Sequence, residues 1–109
     1  ALSLGAVRHS MRSGADVLDV GCGTGVLSIA AALLGARSVR AVDIASAAVE
    51  ATIDNAHRNG VAPRIDADTA RLEELEGVFD VVVANILAPT LVELADELRR
   101  VTAPGGGWW

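Results

Sequence analysis

Three stretches of the sequence combine residue types that can do chemistry. Asp19-Val20-Gly21-Cys22-Gly23-Thr24-Gly25 sets three alternating glycines behind an acidic residue. Such glycines let the backbone turn tightly and come close to a ligand that any Cβ would hold away. A helix opening just after them offers free N–H groups to that ligand. Asp43 follows 22 residues after Gly21, where an acidic side chain accepts hydrogen bonds from both hydroxyls of a ribose. Its plainer role is to cap the next helix. Asn85, at the end of a valine-rich run, is the third candidate, and its plainer role is to cap the turn that follows.

The glycine spacing is Gly-x-Gly-x-Gly, with Val26 where a dinucleotide fingerprint places its third glycine. That difference favours a ligand without pyrophosphate. A tight turn with no ligand is the simpler alternative, although three glycines cost conformational entropy that a plain turn does not require.

These residues need a frame, and the hydrophobic pattern supplies one. Leu4, Val7 and Met11 predict an amphipathic helix before Gly14. Asp16 to Val20 predicts a strand that runs into the glycine turn, followed by a helix with Leu27, Ala30, Ala31 and Leu34 on one face, ending at Gly35. Ser38 to Val42 predicts a second strand with Asp43 at its end. A helix from about Ser46 then carries Val49, Ile53 and Ala56 on one face and closes at Gly60. A weaker strand around Arg64 to Ala67 precedes a charged connector from Arg71 to Glu76, most simply solvated. Phe79 to Ala84 is the strongest strand signal, with Val81-Val82-Val83 suited to cover on both faces. Pro89 opens the last helix, Leu91, Leu94, Ala95 and Leu98 form its stripe, and Pro104 with the three glycines after it breaks the chain. Alternation of this kind predicts an α/β fold, a parallel sheet with right-handed crossovers and helices on both faces.

Composition narrows the functional classes. The 109 residues carry a net charge of −5, and all nine basic residues are scattered arginines. No phosphate-backbone footprint is present, so direct nucleic-acid binding is not expected. Cys22 is the only cysteine, which excludes an internal disulfide and a multi-cysteine zinc site and fits a reducing compartment. As a nucleophile it would need a base, and neither His9 nor His57 lies in a motif beside it; a small loop residue is the favoured role. The two histidines are expected on helix surfaces. No apolar run is long enough for a membrane span and none reads as a signal peptide, so no membrane partner and a cytoplasmic location are expected.

The glycine loop, Asp43, Ala84-Asn85-Ile86-Leu87-Ala88 and Pro104-Gly105-Gly106 together resemble the class I S-adenosylmethionine-dependent methyltransferases. The resemblance is nearest to the ribosomal protein L-eleven methyltransferases of the PrmA type, because other amino-methylating groups often read Asn-Pro-Pro-Tyr at the position of Asn85-Ile86-Leu87. It implies a Rossmann-like class I methyltransferase fold with S-adenosylmethionine as cofactor, a ribosomal protein as substrate and no metal. It implies that Gly21 packs against the methionine moiety, Asp43 holds the ribose, Asp19 and Gly23 support the loop, and Asn85 faces the sulfonium methyl as the catalytic residue. Asp68 is an even case for the adenine amine and stays outside the site.

The family's sheet has seven strands, whereas four strands precede the glycine break that should open a fifth. Residues 1–109 therefore read as a cofactor-binding core, a fragment with the C-terminal strands and an upstream substrate-recognising domain absent. Trp108-Trp109 is an odd finish, an incomplete strand or a foreign end. Ala45-Ser46 replaces an Asp-Pro common in the family and leaves Asp43 in place. The rivals are a methyltransferase of another protein, a small molecule or RNA, a nicotinamide-dependent dehydrogenase domain, and a non-catalytic binding module.

Overall fold

A computed structural model describes residues 14–108, and the helix expected around Leu4, Val7 and Met11 lies outside them. The chain alternates strand and helix: β1 (Asp16–Val20), α1 (Val26–Leu33), β2 (Ser38–Val42), α2 (Ser46–Arg58), β3 (Ile65–Asp68), β4 (Phe79–Ala84), α3 (Ala88–Val101) and β5 (Thr102–Trp108). Two short 3-10 turns, Ala62–Arg64 and Leu72–Glu74, flank β3. The five strands form one parallel sheet in the order β3-β2-β1-β4-β5.

Strand pleating sends successive side chains to opposite faces, and β1 shows both. Val17 joins Val39, Val81 and Val83 beneath Ile29, Ala31 and Ala32 of α1 and Ala56 of α2. Leu18 and Val20 join Val42 and Val82 beneath Leu98 and Val101 of α3. Helices therefore cover both faces of the sheet, as the valine-rich strands require. Leu18, Val82 and Leu98 are fully buried, each contributing roughly 1.5–3 kcal/mol through removal from water. The small residues Ala31, Ala32 and Ala56 let α1 and α2 lie close on the strands.

Three local expectations change. The buried face of α1 is Ser28, Ile29, Ala31 and Ala32, while Leu34 is exposed. This helix is apolar almost all round, so periodicity alone cannot orient it. In α2, Thr52 takes the buried position between Val49 and Ala56, and Ile53 is exposed. The connector from Arg71 to Glu76 is not wholly solvated: Leu72 of its 3-10 turn and Leu75 just after it are buried against the α3 side of the sheet.

The glycine break is the fourth change. β5 begins at Thr102 and continues through Pro104 and the glycines, paired to β4 with a register shift between Phe79 and Val81. A Cβ at Gly106 would stand 2.6 Å from the Asp80 carbonyl oxygen and 3.0 Å from that of Ala103. Gly106 is thus the residue that lets the irregular strand close on its neighbour. No helix among the described residues is long and apolar enough to cross a membrane.

Candidate functional site

The sheet order fixes where a ligand can sit. From β1 the chain moves outward through β2 and β3, then returns to place β4 on the other side of β1. The crevice beyond the carboxyl ends of β1 and β4 is the switch point at which such sheets bind ligands. A cavity of about 700 Å³ opens there, lined by Gly21, Gly23, Asp43, Ile44, Asn85 and Ile86 among others. That is the size of a small-molecule site.

The glycine loop leaves β1 with Gly21 at φ 79°, a left-handed conformation that glycine adopts without cost. Its position has a second reason. A Cβ on Gly21 would lie 2.9 Å from the Asn85 carbonyl oxygen and 3.1 Å from Ile86 Cγ2. Gly21 therefore admits the β4 end as a close neighbour as well as lining the cavity. Around Gly23 the Cβ direction is open, and its N–H donates to Asp43 Oδ2 at 3.2 Å.

Asp43 ties two loops together. Besides Gly23, it accepts the Ala45 N–H through Oδ1 at 2.9 Å. The N-cap of α2 is Ala45, with no side-chain cap, so Asp43 makes a local turn and does not fill the N-cap position. A carboxylate has about four acceptor sites, so one internal bond to each oxygen leaves capacity for a ligand's hydroxyls. Beside it Ile44, two residues past the end of β2, is 90% exposed and lines the cavity as an apolar surface. Ile44 was not among the candidates above; its signal in the sequence is an apolar residue directly after Asp43.

Asp19 stands behind the loop, outside the cavity lining. It is 1% exposed, accepts the Ser28 hydroxyl at 2.6 Å, and has no partner for Oδ1 among the described residues. Burial pushes its carboxyl up to about 6, against the Ser28 hydrogen bond, and the nearby Asp43 charge adds to the rise. Asn85 lines the cavity and is exposed. Its backbone N–H donates to the Val20 carbonyl at 3.1 Å, which locks β4 to β1 at the site. Leu87 is the N-cap of α3, without a side-chain cap, so Asn85 does not fill the capping position.

Asp68 is engaged elsewhere. It accepts Arg40 at 2.6 Å and the Ala70 N–H at 3.0 Å. Burial alone would raise its pKa, but these two bonds and the Arg40 charge outweigh it and hold the carboxyl below its usual value. Cys22 is buried, with the Thr52 hydroxyl 3.3 Å from its sulfur. Burial pushes its thiol pKa up, against the Thr52 bond; a raised thiol is a poor nucleophile. His57 is exposed on α2, and His9 lies outside the described residues. No cluster of three or more His, Cys, Asp or Glu is placed to hold a metal ion among the described residues.

The sequence profile described as Ribosomal protein L11 methyltransferase (PrmA) matches residues 1–108. The chain belongs to the PrmA family. A ribosomal protein L11 methyltransferase of Citrifermentans bemidjiense is 62% identical over 90 residues, covering 83% of this chain and 29% of that relative. The crystal structure of a ribosomal protein L11 methylase from Lactobacillus delbrueckii subsp. bulgaricus superposes with TM-score 0.88 at 38% identity, covering 94% of this chain and 53% of the other. The Trypanosoma brucei PRMT1 enzyme–prozyme complex with AdoHcy gives TM-score 0.80 at 26% identity, covering 97% of this chain and 38% of that one. This chain thus spans less than a third of that bacterial relative's length. The fold is the Rossmann-like one shared with these methyltransferases.

Proposed function

We propose that residues 1–109 are the S-adenosylmethionine-binding core of a methyltransferase that modifies amino groups of a ribosomal protein. The observation that carries this reading is Asp43, fixed to the glycine loop by Gly23 at the mouth of the cavity, with exposed Ile44 beside it. A carboxylate next to an apolar surface suits an adenosyl group, whose ribose offers two hydroxyls and whose base offers a flat face. Family membership and the AdoHcy complex of a structural neighbour support the same ligand.

S-adenosylmethionine supplies, when bound, a methyl group already activated by positive sulfur. The chain's own residues then have positioning work to do. Asp43 receives the ribose hydroxyls, Gly21 and Gly23 give close approach at the loop, and Asp19 backs that loop through Ser28. Asn85 presents its side-chain carbonyl to the incoming amine. A lysine amine starts near pKa 10.4, so desolvation in the cavity together with acceptors for its hydrogens exposes the lone pair. No metal and no covalent intermediate belong to this scheme.

The ribosomal protein substrate rests on the names of the relatives, as does a cytoplasmic site of action. Substrate recognition by a separate domain upstream belongs to the same proposal. Direct contact with nucleic acid or membrane does not, in keeping with the net charge of −5 and scattered arginines.

Calorimetric titration of the full-length protein with S-adenosylhomocysteine and, separately, NAD tests the reading. Binding of the first ligand alone is expected, weakened by roughly 1–3 kcal/mol in Asp43→Ala, which removes a charged acceptor. Binding of NAD instead would replace the methyltransferase reading with a dehydrogenase one. A folded protein that binds neither would be a non-catalytic module.

A further inference from the structure

Two polar residues on α2 have no role in the scheme above, although both reach the glycine loop. Thr52 is fully buried and its hydroxyl lies 3.2 Å from the Gly23 carbonyl oxygen. Asn55, one turn further along, donates from Nδ2 to the Thr24 carbonyl at 2.9 Å. Residues three apart share a helix face, so α2 presents two donors to two consecutive carbonyls of the loop, with Cys22 Sγ of the same loop a second neighbour of the Thr52 hydroxyl at 3.3 Å. Threonine and asparagine are weak helix formers, and a fully buried hydroxyl costs free energy unless bonded. Both costs are offset at one place, the loop.

A third contact fixes the spacing. A Cβ at Gly25 would meet Thr52 Cγ2 at 2.8 Å and Thr52 Cα at 3.1 Å, so Gly25 lets α2 come near enough for both bonds. A trans peptide sets its C=O and N–H in opposite directions. Holding the Gly23 carbonyl toward α2 therefore turns the Thr24 N–H away from it. The same peptide begins at Gly23, whose own N–H is held by Asp43.

We infer that Thr52 and Asn55 are positioning residues, a two-point clamp that keeps the glycine loop in its ligand-binding shape before the ligand arrives. Neither lines the cavity. They act through the Gly23 and Thr24 carbonyls, and their effect on affinity follows from the fraction of protein whose loop is already in place. This inference rests on the proposed S-adenosylmethionine site, and its test separates the two.

Thr52→Val keeps the methyl that packs on Gly25 and removes the hydroxyl, while Thr52→Ser does the reverse. With Asn55→Ala they make the set, each in the full-length protein, titrated with S-adenosylhomocysteine and followed by amide hydrogen exchange without ligand. Thr52→Val and Asn55→Ala are expected to weaken binding about threefold to tenfold each, the effect of one neutral hydrogen bond. Exchange over residues 22–26 is expected to quicken by a similar factor while β1 and β4 stay protected. Thr52→Ser should bind within about twofold of wild type, because its hydroxyl remains. Wild-type affinity and exchange in both Thr52→Val and Asn55→Ala would overturn the clamp, as would a Thr52→Ser loss equal to that of Thr52→Val, which would mean packing alone. Asn55 is only partly buried, so its variant decides the matter even if Thr52→Val does not fold. If wild type itself binds no S-adenosylhomocysteine, the cofactor reading fails, and exchange over residues 22–26 alone supports or overturns the clamp.

Discussion

Asp16 and Asp19 sit near the two ends of β1, and the fold treats them in opposite ways. At the amino end, Asp16 accepts the Arg37 guanidinium and the Ser38 hydroxyl, while its own N–H donates to Asp80 at 2.9 Å. The Arg37 and Ser38 hydrogen bonds hold its carboxyl below the usual value, a small burial cost notwithstanding. At the carboxyl end, Asp19 is buried with one oxygen unpartnered among the described residues, and its carboxyl rises to about 6. At the amino end both Asp16 oxygens have partners, although Arg40 Nε, in the middle of β2, is a second buried side-chain atom without one among the described residues. The carboxyl end leaves acceptor capacity on Asp19 and on Asp43, and buried polar groups left unsatisfied concentrate where a structure has work beyond folding.

The glycines at either end of β1 give the strongest way to sharpen this contrast. Gly14 and Gly21 share a left-handed backbone, but a Cβ at Gly14 meets nothing within 4 Å, whereas at Gly21 it meets the Asn85 carbonyl. Gly14→Ala is expected to lose about 1–2 kcal/mol from backbone strain alone. Gly21→Ala adds a backbone clash and is expected to lose about 2–4 kcal/mol, with weakened ligand binding as Asn85 is displaced. Urea unfolding of the pair measures both losses, and equal losses would break the contrast.

The second way is pH. The folded value for Asp19, about 6, lies above its ordinary 3.8, so the folded state binds more protons between the two. The stability this contributes is complete below about pH 3.8 and is lost as the pH rises through 6. A shift of this size corresponds to about 3 kcal/mol. Asp19→Asn keeps an acceptor for Ser28 and removes the buried charge, a gain partly offset by the unpartnered amide N–H groups it introduces, and is expected to stabilise the protein by under about 3 kcal/mol at pH 7. Unfolding curves between pH 4 and 7 should lose their Asp19-dependent slope in this variant.

Asp16 gives the smallest effect and the opposite sign. Its lowered value means that its contribution is present above pH 3.8 and is lost as the pH falls through the folded value. Arg37 is mostly exposed, so the pair contributes little, and Asp16→Asn is expected to cost under about 1 kcal/mol at pH 7. A loss larger than the gain at Asp19, measured in the same unfolding experiment, would reverse the comparison.

The frame was readable because its strands are valine-rich and its turns carry glycine; β1, β2 and β4 fall where periodicity placed them. The lining of the candidate site was legible for the same reason, since Gly21, Gly23, Asp43 and Asn85 all stand at strand ends and the sheet order gathers them around one cavity, with Asp19 behind it. What stayed hidden depends on tertiary approach. Pro104 and its glycines look like a break, yet β5 needs Gly106 against the Asp80 carbonyl. Thr52 displaces Ile53 from the buried face of α2 because the glycine loop, 29 residues earlier, offers it a carbonyl. Ser28 is buried in an otherwise apolar helix because Asp19 accepts its hydroxyl. No local pattern carries those pairings.

The contrast between the ends of β1 assigns the carboxyl end of the sheet to the proposed ligand and the amino end to scaffold. Backbone amide chemical shifts of the full-length protein, recorded with and without saturating S-adenosylhomocysteine, test it most directly. The expected result is that the large changes fall on Gly21, Gly23, Asp43, Ile44, Asn85 and Ile86, with Gly14, Asp16, Arg37, Ser38 and Asp80 unmoved. Changes centred on the amino-end residues, or spread evenly over both ends of β1, would overturn that assignment.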